Sequence, residues 1–157
     1  VLLRDFALEE IPTLIRDMAI ELSDRMYEEN VLANMFYLYV GFKDGDGGVS
    51  KRIEFFTPTD SAEKIGKEAV RLFTEPRIPA DSLFRNIFLV AGDVKDKGIY
   101  QPSLFEDYVG DNKLRSLEKT MMHIRKKYGA RMAMPCSALS LSSTFLQRSN
   151  QIGGHHA

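Results

Sequence analysis

Tryptophan is absent, cysteine occurs once and histidine three times in the 157 residues. A single cysteine, Cys136, excludes an internal disulfide and points to a reducing compartment, so a cytoplasmic location is expected. No histidine or second cysteine stands at ligand spacing from it, so Cys136 reads as a small apolar filler. No apolar run approaches the length of a membrane span, and no signal peptide is expected. No Ser/His/Asp, Cys/His or phosphate-loop constellation supports a small-molecule enzyme. Clustered carboxylates of the kind that hold two metal ions are also missing: Asp44 and Asp46 lie in a glycine-rich turn, and Glu106 and Asp107 flank a linker peptide. That turn is too short for a calcium loop and has no closing glutamate. His155 and His156 lack a third partner, so no metal site is expected.

What remains is an ordinary globular composition, 44% hydrophobic and 27% charged, sized for one domain plus an appendage. The opening at Val1, without Met, reads as a fragment of a longer protein. Charge is unevenly spread. Residues 1–110 carry 13 basic and 20 acidic side chains, a balance of −7, and residues 111–157 carry 8 and 2, a balance of +6. Such asymmetry fits a basic end that meets an anion, or simply a solvated helix face.

Periodicity gives the order of elements. Val1–Phe6 reads as a strand. Ile11, Leu14, Ile15, Met18, Leu22 and Met26 recur at helical spacing, with Pro12 in the first turn where proline is tolerated. Asn34–Phe42 alternates, with Phe36, Leu38, Val40 and Phe42 on one side and Met35, Tyr37 and Tyr39 on the other. Asp44–Gly48 is hairpin-turn chemistry, and Val49–Phe56 is the returning strand. Asp60 and Glu63 resemble a capping box for a second helix through Phe73, which Pro76 and Pro79 end. Asn86–Ala91 is a fourth strand. The expected fold is therefore α+β: a four-stranded antiparallel sheet of order β-α-β-β-α-β with two helices on one face. Its other face, carrying Met35, Tyr37, Tyr39 and Phe88, is left open to a partner. Residues 93–112 form a linker, and a basic helix (113–128) with a polar tail follows. Leu114, Leu117, Met121, Ile124 and Tyr128 form a narrow seam on that helix, and Gly129 is its expected cap.

The linker contains Gln101-Pro102-Ser103-Leu104-Phe105. A Leu-Phe pair on an exposed linker suggests a partner surface, or else a staple onto its own domain. The form Gln-x-Ser-Leu-Phe resembles the sliding-clamp-binding peptide of bacterial DNA polymerases and repair proteins. Together with the β-α-β-β-α-β pattern, Arg125-Lys126-Lys127-Tyr128-Gly129 and the Ile152-Gly153-Gly154-His155 ending, it resembles the C-terminal part of Y-family translesion DNA polymerases. The likeness is to the UmuC/DinB-like branch of Gram-positive UV-damage repair proteins. The resemblance implies that residues 1–92 are a little-finger domain that grips primer–template DNA mainly through phosphates. It also implies that Gln101, Ser103, Leu104 and Phe105 engage a bacterial sliding clamp. The catalytic domains, with their Mg²⁺, would lie in a missing N-terminal part, so the fragment itself needs no cofactor and is inactive alone. Candidate DNA contacts are Arg4, Asn34, Tyr37, Lys43, Ser50, Lys51 and Arg52. Lys51 shares the inward parity of Ile53 and Phe55 unless a bulge intervenes. Little fingers tend to be basic, and here residues 1–110 are acidic. The alternative is a stand-alone βαββαβ module that stacks single-stranded RNA bases on Tyr37, Tyr39 and Phe88; Val49–Phe56 lacks the Gly-Phe-aromatic pattern of that module.

Overall fold

The computed structural model describes residues 2, 4–45, 47–99, 108–149, 151, 152, 155 and 156. Four strands form one antiparallel sheet in the order β1-β4-β2-β3. They are β1 (Phe6–Ala7), β2 (Val31–Phe42), β3 (Gly48–Thr59) and β4 (Leu83–Asp96). Helices α1 (Ile11–Glu28) and α2 (Ala62–Thr74) join them in the expected sequence.

The core lies between the helices and one sheet face. Ile11, Leu14, Ile15 and Ala19 of α1, Ile65, Ala69 and Phe73 of α2, and Phe36, Leu38, Val40 and Ile53 of the sheet are all almost wholly buried. Gly66 lets the helices approach closely, since a Cβ there would stand 3.3 Å from that of Ala19. Asn30 takes a left-handed backbone (φ 56°), which asparagine tolerates, and turns α1 directly into β2. The strand therefore begins at Val31, ahead of the alternation that starts at Asn34.

Several local expectations are corrected. Among the described residues of the first segment only Phe6–Ala7 enter the ladder, and Arg4 and Asp5 turn to ion pairs with Glu10, Lys43 and Arg85. The cap of α2 is Ser61, whose hydroxyl accepts from the Lys64 amide at 3.4 Å. Asp60 instead binds Lys97 and Arg115. Cys136 is exposed and fills no core space. The second half of β3 is irregular. Ala33 pairs with Thr59 but Met35 with Glu54, so residues 55–58 bulge out opposite Asn34. Pro58, which cannot donate to a ladder, sits inside the bulge.

The C-terminal region folds back on the helical side. Helix α3 (Tyr108–Tyr128) crosses α1 and α2, and the residues after it bring α4 (Phe145–Arg148) against α1, with Met122, Ala138 and Phe145 buried. Two short strands, β5 (Gln151–Ile152) and β6 (His155–His156), pair at the end. The expected seam of α3 reaches the domain only with its edge: Leu114, Met121 and Ile124 are half-buried, while Leu117 is 57% exposed and Tyr128 60%. The packed side carries buried Met122 with Arg115, Glu118 and Arg125, whose charges find partners at Asp60, at the start of α2 and at Asp24 of α1. Among the described residues no helix is long and apolar enough to cross a membrane.

Candidate nucleic-acid interface

Among the described residues, nothing covers the sheet face opposite α1 and α2. Strand alternation puts every second residue of β2 there, and the register fixes its neighbours. Tyr37 lies between Arg52 of β3 and Val90 of β4, and Tyr39 lies between Ser50 and Phe88. Tyr37, Phe88 and Val90 are 43–51% exposed. Tyr39 and Phe88 stack with centroids 6.0 Å apart and planes 26° from parallel. The Tyr37 ring lies over Gly92, where a Cβ would come within 2.8 Å of it. Gly41 makes room for Tyr39 in the same way at 3.0 Å. The glycines thus give the two tyrosine rings room to lie against the sheet.

The tyrosine hydroxyls have local partners. Tyr37 donates to the Met35 Sδ at 3.0 Å, and Tyr39 donates to the Gly47 carbonyl at 3.2 Å. Charge on this face is nearly balanced. Arg52 pairs with Glu54 at 2.7 Å with both side chains about 60% exposed. Exposed pairs of this kind are worth little and exchange partners readily.

Three sequence-predicted contacts, Tyr37, Ser50 and Arg52, are brought together here. Asn34 is adjacent, but its amide is engaged: Nδ2 donates to the carbonyls of Phe55 and Phe56, and Oδ1 accepts from Lys95 Nζ at 2.9 Å. It closes the bulge by bonding carbonyls that the ladder leaves over. Lys51 is not on this face. It opposes buried Leu38 and pairs with Glu75 after α2 at 3.4 Å, because the bulge lies downstream of it and leaves its parity with Ile53 intact. Arg4 and Lys43 belong to the β1 edge. Arg4 stacks over Phe6 at 3.8 Å and binds Glu10, and Lys43 binds Asp5 at 2.9 Å. The Arg4 guanidinium, aided by the Ala7 amide, holds the Glu10 carboxyl down at about 2. Lys43, then Arg85, lowers Asp5. Gln101, Ser103, Leu104 and Phe105 lie outside the described residues.

Sequence reasoning did not single out Val90 or Phe56, the latter 92% exposed on the bulge. Pro58 was the available signal for the bulge, since proline inside a strand marks an irregularity.

The family described as the impB/mucB/samB family C-terminal domain matches residues 2–104, two thirds of the chain, including the whole sheet with α1 and α2. The chain belongs to this family. Its matched span takes in the open face and most of the linker and stops before α3. A putative UV-damage repair protein, UvrX, of Bacillus subtilis (strain 168) is 27% identical over 158 residues, 99% of this chain. That likeness continues through α3 and the tail, and the chain spans 37% of the relative's length. Family and relative agree with the Y-family, UmuC-like resemblance of the sequence.

Proposed function

We propose that this chain is the C-terminal, DNA-holding part of a translesion DNA polymerase acting in UV-damage repair. The observation that carries the proposal is the open face of a family sheet, with Tyr37, Tyr39, Phe88, Ser50 and Arg52 side by side and, among the described residues, no element packed over them. Hydroxyls and backbone amides bond phosphate oxygens without reading sequence, and Arg52 can exchange Glu54 for a phosphate. Few cations face outward, so binding is weak and only shallowly salt-dependent. Nucleotidyl transfer itself belongs to the remainder of a longer parent chain.

Weak gripping makes tethering useful. In this reading Gln101–Phe105 is a sliding-clamp peptide, and the clamp raises the local concentration of the polymerase at a primer end. Leu104 and Phe105 are the anchors, each worth about 2 kcal/mol if truncated.

Two measurements test the pair of claims. Primer–template duplex should bind the chain more tightly than single-stranded RNA, and Arg52→Ala with Tyr37→Ala should weaken the duplex complex at unchanged stability. Preference for the RNA would favour a base-stacking module instead. A bacterial sliding clamp should bind the chain, and the Leu104→Ala/Phe105→Ala double variant should not. Equal binding by both would remove the clamp role and leave the DNA role standing.

A further inference from the structure

Helix α3 presents a partly exposed seam beside a groove. Leu114, Leu117, Met121, Ile124 and Tyr128 alternate spacings of three and four, the pattern by which one helix packs along another. In this fold no seam residue is fully buried: Leu114, Met121 and Ile124 are half-buried, and Leu117 and Tyr128 stay more than half exposed. Next to it lies a cavity of about 240 Å³ floored by Ile20 of α1 and by Ala62 and Gly66 of α2, with Leu114, Leu117 and Met121 as its wall.

Charge around the seam is one-sided. The flank that faces the domain is committed: Glu118 accepts from the Ser61 hydroxyl and the Glu63 amide, and Arg125 forks onto both oxygens of Asp24 at 2.7 and 2.8 Å. The outer flank carries Lys113 and Lys127, one position before Leu114 and Tyr128, both exposed. Arg16 and Lys67 stand exposed on the far rim of the cavity, against the single exposed carboxylate of Glu63 among its described lining residues. The rim is therefore cationic around an apolar floor.

We propose that the α3 seam and this groove dock an amphipathic helix of another protein, apolar on one face and flanked by glutamate or aspartate. Apolar residues of the partner fill the groove, and its carboxylates meet Lys113 and Lys127 on one side and Arg16 and Lys67 on the other. A second copy of this chain fits poorly. Antiparallel pairing of two α3 seams sets Lys113 against Lys127, and in parallel pairing the carboxylate that would answer Lys113 is Glu118, which is tied to the start of α2. The site is separate from the open sheet face and does not depend on DNA or clamp binding.

The test uses the whole chain and a synthetic helix of about three heptads, with leucine and isoleucine at the packing positions and glutamate at the flanks. A second peptide carries lysine at every glutamate. Fluorescence anisotropy should give micromolar binding of the acidic peptide and at least tenfold weaker binding of the basic one. Lys113→Glu/Lys127→Glu should erase or reverse that preference. Leu117→Asp should weaken the acidic peptide tenfold or more with an unchanged circular dichroism spectrum, because Leu117 is not part of the core. Equal affinity for both peptides, or acidic-peptide binding indifferent to Leu117→Asp, overturns the proposal. Sedimentation of the chain alone should show a monomer, and a dimer dissolved by Leu117→Asp would assign the seam to self-association and overturn it as well.

Discussion

The two faces of the domain handle charge and burial in opposite ways. The sheet face is aromatic, close to neutral and open. The helical face is acidic and covered by the chain's own basic segment: Arg115 meets Asp60, Arg125 meets Asp24, Lys126 meets Glu28 and Arg148 meets Glu21. The acidic balance of residues 1–110 is thus largely answered from within the molecule, on the side away from the proposed DNA surface. Net charge summed along a sequence does not predict the field at a given surface; placement does. The covered face also depends on buried carboxylates. Burial raises the carboxyls of Asp17, Asp24 and Glu118, even though each accepts hydrogen bonds from the docked segment or from α2.

The sharpest contrast sits on two neighbouring residues of β2. Phe36→Ala, on the core side, should cost about 3–5 kcal/mol of stability in urea unfolding, since Phe36 has no exposed surface. Tyr37→Ala, on the open side, should cost under about 1 kcal/mol and act on duplex binding instead. Similar costs at both positions would mean that the open face is covered in solution.

On the helical face, Arg125→Ala removes a forked bond to a half-buried carboxylate and should release the C-terminal segment by about 2–3 kcal/mol. Amides of residues 130–148 should then exchange faster with deuterium while those of β2 and β4 keep their protection. Loss of protection throughout would show that the segment is integral to the domain core.

Asp17 separates charge from hydrogen bonding at the same seam. Its Oδ2 accepts from the Ser143 hydroxyl and the Thr144 amide, both at 2.8 Å, and its buried Oδ1 has no protein partner among the described residues. Asp17→Ala strands those donors and should cost about 1–3 kcal/mol. Asp17→Asn keeps an acceptor and removes a buried charge, so its melting temperature should equal or exceed that of the parent.

The smallest effect is at the β1 edge. Glu10 sits near 2 in the folded chain against an ordinary 4.5, so its contribution is present above 4.5 and is lost as pH falls toward 2. The Glu10 carboxyl should titrate in that low range by NMR, and Arg4→Ala should return it toward 4.5. Because Arg4 is half exposed, global stability should change little.

Much of this was legible in the chain. Helical spacing in Ile11–Met26 and alternation in Asn34–Phe42 reflect one-sided burial, so the element order and the aromatic open face followed from local pattern. The candidate site was read in part. Tyr37, Ser50 and Arg52 do share a face, but strand parity keeps Lys51 with the helices, and Asn34 is taken up by the bulge opposite it. The seam of α3 shows the same limit: its spacing announced an apolar stripe, and nothing local could say that Arg115, Glu118 and Arg125 would form the packed side instead.

The sequence by itself determined which residues alternate, which recur at helical spacing and where turns must fall, because those depend on near neighbours along the chain. Only the tertiary structure decided that Glu118 caps the start of α2, that Asp60 serves Lys97 and Arg115, and that the basic helix answers the acidic one. These contacts join residues 37 to 101 positions apart, and no local period records them.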